Sequence, residues 1–113
     1  PASAVVAVSW QPDEGGTLVT IQGDGTLASG RVSHLALTDP PRELIRVSGI
    51  LVPFTSEQIH VGNKDLAQIR IGHHPDLSPP QLHLVLDFAS PGVQVRRFAV
   101  AGSKVLVLVG TSH

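Results

Sequence analysis

The sequence predicts an all-β chain: a two-sheet β-sandwich built from two pseudo-symmetric halves, with at most one short helical turn. Three observations predict it. Short apolar runs recur at close spacing between turns rich in Gly, Pro, Asn and Asp, and no stretch sustains a helical apolar period over several turns. A strand with one wet face alternates strictly, as residues 67–71 do, whereas residues 105–109 are apolar on both faces and call for an interior place under a second sheet. Finally, DPPRELIRVSG (39–49) and PPQLHLVLDFASPG (79–92) each set a diproline before an apolar run with embedded charge, so the chain reads as internally duplicated.

Taken in order, residues 4–8 are β-branched-rich and read as a strand, stopped by Pro12 and the polar cluster from Asp13 to Gly16. Residues 17–22 follow as its hairpin partner, with Val19 and Ile21 on one face. Gly23-Asp24-Gly25 is a turn, and residues 31–37 form a third strand with Leu35 and Leu37 on one side and His34 and Ala36 on the other. Two prolines fix φ, withhold donors and push the residue before each out of the helical region, so a strand starts right after Pro41 and runs from Leu44 to Val47. Phe54 is expected to anchor the crossing between halves, and residues 55–58 suit a short turn capped by Thr55. Residues 59–61 and 67–71 are strands around the Gly62 to Asp65 turn, with Ala67, Ile69 and Ile71 inward and Gln68 and Arg70 outward. His73-His74-Pro75 begins a loop. Leu82, Leu84, Leu86 and Phe88 make the cleanest period-two face, and residues 93–100 and 105–109 form a final hairpin turning at Gly102-Ser103.

The 113 residues suit a single domain, 1–113. A formal charge of -1 and a pI near 6.7 offer no basic surplus for phosphate backbones, so nucleic acid is not an expected partner. The absence of cysteine excludes disulfides, thiolate metal sites and a thiol nucleophile. No apolar run nears the roughly 20 residues of a membrane span, so the chain reads as soluble, without membrane insertion. It begins at Pro1, which reads as a processed or cut start.

The segments DPPRELIRVSG, LAQIRIG and LHLVLDFASPG, in this order and spacing, resemble the AMIN domain, over roughly residues 5–109. In that family each half carries an apolar strand introduced by Pro-Arg and ending in an Asp-hydrophobic pair, with an I-R-x-G segment between. The resemblance implies a β-sandwich of two symmetric halves that binds peptidoglycan beside N-acetylmuramoyl-L-alanine amidases or in type IV pilus secretins, in the periplasm of the cell envelope. Pro41-Arg42 and Asp87 keep the expected residue types. Arg46 stands where the family has an acidic residue, and His83 where it has Arg.

The candidate ligand-binding residues are Arg42, Arg46, Arg70, His83 and Asp87. A guanidinium fork recognises the carboxylates of stem peptides in bidentate fashion. Asp87, a carboxylate within LVLDF, must be paired or face water, and alternation sets it on the side of His83 and Val85. With one Trp and three Phe a flat sugar platform is lacking, so peptide or amide recognition is easier to build, and Trp10 is expected to close an end of the sandwich. His73, His74, Asp76 and His83 are the densest metal candidates, but neighbours on an extended strand point oppositely, and no metal or other cofactor is expected. No HExxH or GxSxG pattern occurs, so no catalysis is expected. The function expected is a non-catalytic peptidoglycan-targeting module. The alternative is a protein-interaction module that docks an envelope subunit along an exposed sheet edge.

Overall fold

The computed structural model describes residues 1–55 and 57–111 and places strands where alternation and turn chemistry put them. They are β1 (Val5–Asp13), β2 (Gly16–Gly23), β3 (Val32–Leu37), β4 (Arg42–Ser48), β5 (Glu57–His60), β6 (Leu66–His74), β7 (Gln81–Phe88), β8 (Val93–Ala101) and β9 (Lys104–Thr111). One 3-10 turn, Ser29–Arg31, leads into β3 and is the only helical element among the described residues. The strands build two antiparallel sheets, ordered β1-β2-β9-β8 and β3-β4-β7-β6-β5. Inward residues of both meet in one core: Val19, Ile21, Val105, Val107 and Val109 against Ile45, Val47, Ile69, Leu82, Leu84 and Leu86, all fully buried. Burying a side chain of this size contributes about 1.5–3 kcal/mol, which is what holds the sheets face to face. The doubly apolar β9 lies between β2 and β8, inside its sheet.

The two diproline strands lie side by side. β4 and β7 pair from Arg42↔Asp87 to Ser48↔Gln81, and the Asp39-Pro40 and Ser78-Pro79 peptide bonds ahead of them are both cis. Ile45 faces Leu84, and these two residues have the same sequence separation as the two diprolines. A local two-fold axis through that pair therefore carries one repeat onto the other. The symmetry extends by hairpins, with β3-β4 matching β6-β7 in one sheet and β1-β2 matching β8-β9 in the other. The order is exchanged, however: the hairpin of the four-stranded sheet comes first in the N-terminal half and last in the C-terminal half. β5 is an addition at one edge.

Four local expectations are corrected. β1 runs through Pro12 to Asp13, because β1 is an edge strand and a proline there costs no ladder bond on its open side. The register of β6 on β7 shifts between Leu66 and Gln68, so Leu66 is fully buried and Ala67 is exposed. His73 and His74 belong to β6, paired with Leu82 and Gln81, not to a loop. Glu57 and Gln58 open β5, so no capped turn forms from them; Ser56 lies outside the described residues. Phe54 and Trp10 are half-buried against the core, Trp10 from within the edge strand β1 opposite Val19.

Candidate functional site

The outer face of the five-stranded sheet follows from the inner one. With Ile45, Val47, Leu82, Leu84 and Leu86 inward, the period of two turns Arg42, Leu44 and Arg46 of β4 outward together with His83, Val85 and Asp87 of β7. Pairing then lines them up. Arg42 faces Asp87, Leu44 faces Val85 and Arg46 faces His83, while Arg70 of β6 stands beside Val85 on the far side. All five predicted site residues therefore project from one surface, although they are spread over three strands and nearly half the chain.

Asp87 is the centre of its polar half. Arg70 donates from Nε to Oδ2 at 2.7 Å and from Nη2 to Oδ1 at 2.9 Å, a bidentate fork, and Gln68 Nε2 donates to Oδ2 at 2.9 Å. Burial pulls the Asp87 carboxyl upward, but the hydrogen bonds of Arg70 and Gln68, joined by the charges of Arg70 and Arg42, outweigh it and hold the group below its ordinary value. The Arg70 guanidinium is raised in turn by that hydrogen bond. Arg42 donates from Nη1 to the carbonyls of Pro40 at 2.7 Å and Thr38 at 3.2 Å. Arg46 is exposed, and no hydrogen bond or ion pair from the described residues engages it.

At the other end His83 Nε2 lies 2.9 Å from Gln81 Oε1, and its ring packs on that of His74 at 4.0 Å between centroids. Gly72 lies opposite His83, and a Cβ there would meet His74 Nε2 only at the ordinary contact distance of 3.9 Å. Burial first, then the charges of His74 and Arg46, lower the His83 pKa, so this ring is neutral at pH 7. His73 points the other way, with Nε2 2.7 Å from the Ile50 carbonyl oxygen. Among the described residues no group of three or more His, Cys, Asp or Glu side chains is arranged to hold a metal ion.

No family model, curated protein or solved structure matches the chain. The surface must be read from its own chemistry. It presents an apolar row, Leu35, Leu44 and Val85, between an Arg42/Asp87/Arg70 cluster and an Arg46/His83/His74 cluster. Such a face suits an extended polar ligand carrying carboxylates. Sequence reasoning set Gln68 outward beside Arg70 without naming it among the candidate residues, and it missed His74 as a member of this face. The i, i+2 spacing from Gln68 to Arg70 was the available signal for the first, whereas His74 was hidden by its assignment to a loop. It also missed Glu43, whose carboxylate is buried on the inner side and 2.7 Å from His34 Nδ1.

The lowered carboxyl gives a pH signature. A carboxylate whose folded pKa lies below its unfolded value contributes stability that is complete above the unfolded value and disappears as pH falls through the folded one. Asp87→Asn is therefore expected to cost about 1 kcal/mol at pH 7, Arg70 being exposed enough to keep the pair near the range of surface ion pairs. Thermal melts between pH 7 and pH 2 check it: the gap between wild type and variant should close below the ordinary carboxyl value of 3.8. A gap that persists unchanged into strong acid refutes the role given to this ion pair.

Proposed function

We propose that the chain is a non-catalytic, AMIN-like binding module of the bacterial cell envelope that holds its parent protein to peptidoglycan through the outer face of the five-stranded sheet. The observation that carries the reading is the convergence of Arg42, Arg46, Arg70, His83 and Asp87 on that one surface. Arg46 offers a free fork to a stem-peptide carboxylate, and Arg42 keeps Nε and Nη2 for the same purpose. Arg70, held by Asp87, stiffens the floor. One such face has modest affinity, and repetition in the parent would add avidity.

Co-sedimentation with purified sacculi tests this directly. Wild type should pellet in a salt-sensitive manner, and Arg46→Glu combined with Arg42→Glu should weaken pelleting about tenfold, as expected for loss of charge-assisted hydrogen bonds. No pelleting above a control protein, or equal pelleting of the variant, overturns the proposal. A second reading, docking of an envelope subunit along a sheet edge, draws support from β3, an edge strand whose Leu35 is 49% exposed. It predicts capture of that subunit in the absence of peptidoglycan.

A further inference from the structure

Where the edge strands β3 and β8 approach each other, the sandwich leaves a cavity of about 410 Å³ between its sheets. Leu37, Pro41, Phe88, Pro91, Val93 and Val95 make its walls largely apolar. Into it the fold places a carboxylate. Glu43 shares the inward face of β4 with Ile45 and Val47, and the residue is only 3% exposed. An ionised carboxyl in such surroundings is costly unless it is compensated. His34 compensates one oxygen: its Nδ1 lies 2.7 Å from Glu43 Oε2, and its ring is fixed by stacking on Phe98 at 4.0 Å and 17°.

The other oxygen is left over. No hydrogen bond from the described residues reaches Glu43 Oε1 or His34 Nε2. Among those residues no sealed-off side-chain polar atom lacks a partner, so Oε1 borders the open cavity and not packed core. In the tautomer that donates Nδ1–H to Glu43 Oε2, Nε2 is left as an acceptor. Both open atoms at the cavity therefore ask for donors, and Glu43 adds negative charge. With Oε2 committed to His34, a single oxygen remains, which matches a compact ammonium better than the two-pronged guanidinium. The volume lies within the range of small-molecule sites.

We propose that this cavity binds a primary ammonium on an aliphatic stem, with Glu43 Oε1 taking the charge and the apolar walls taking the stem. The ligand chemistry is that of a free alkylamine or of a lysine-type side chain on a peptide. The site is separate from the outer face of the sheet and does not rest on the reading given to that face.

The test is titration of the whole chain, followed by NMR shifts of His34 and Phe98, with n-butylammonium, n-butanol, a lysine tripeptide blocked at both ends, and the same peptide with the lysine ε-acetylated. Saturable shifts with butylammonium or the lysine peptide, and binding of butanol and the acetylated peptide weaker by about tenfold, are expected for a charge-assisted bond to Glu43. Glu43→Gln, which keeps the side chain's shape, should lose the same factor. Val95→Trp, which fills the cavity from the facing sheet, should abolish binding. Butylammonium alone binding identifies a small amine as ligand, and tighter binding of the peptide identifies a side chain. Equal binding of charged and neutral probes, full binding by a folded Glu43→Gln, or the absence of any saturable shift overturns the proposal.

Discussion

Leu84→Ala is expected to lower the unfolding free energy by about 3 kcal/mol, within the 2–5 kcal/mol range of leucine truncations in closed cores. Leu84 sits at the symmetry point of the sheet, paired with Ile45 on one side and Ile71 on the other, and it is fully buried. Both neighbours are β-branched, stiff and hydrogen-bonded into strands, so they collapse poorly into the space left behind. In a chain of this size the loss corresponds to a fall of roughly 12 °C in Tm, at about 4 °C per kcal/mol. Val85→Ala, one residue on and facing outward, provides the comparison. It should cost less than about 1 kcal/mol, because the half-exposed side chain leaves a gap that water fills. Denaturant melts of the two variants give the answer, and equal costs would mean that β7 does not separate a core face from a wet one.

Gly16→Ala is expected to cost about 3 kcal/mol, at the upper end for overpacked sites. Gly16 opens β2 where β2 crosses the end of β9, and an added Cβ would overlap the carbonyl oxygen of Val109. The obstacle is backbone, not the end of a flexible side chain, so relief requires the two strands to separate. Gly110 meets the carbonyl of Gly15 in the same way from the opposite side, which makes the site a mutual close approach. Gly92 is the control: a Cβ there meets nothing within 4 Å, and alanine should be neutral or slightly stabilising. A wild-type melting curve for Gly16→Ala would show that the β2-β9 contact is looser than this geometry requires.

How much of this was readable beforehand differs between residues. Strand positions were legible because they depend on near neighbours: the alternation of Leu82, Leu84 and Leu86, or the donors withheld by Pro40 and Pro41, acts within a few residues. The same period set Asp87 on the outward face with His83 before any fold was known. It failed where the count was broken. The register shift beside Leu66 turned Ala67 outward, and residues 63–71 hold no glycine or proline to announce it. Glu43 was overlooked because the strand was started at Leu44; begun one or two residues earlier, the alternation already puts Glu43 with Ile45 and Val47.

The amino-acid order by itself determined the class of fold, the nine extended segments and the repeat of the diproline strand, since those rest on local sterics, turn chemistry and a two-residue period. Only the tertiary structure decided that the repeats pair with each other, that the outer hairpins match in exchanged order, that Arg70 reaches Asp87, and that Glu43 and His34 meet at a cavity. Those outcomes depend on which strands become neighbours and in what register. That choice is made by the joint burial of apolar faces distant in sequence, and no local pattern records it.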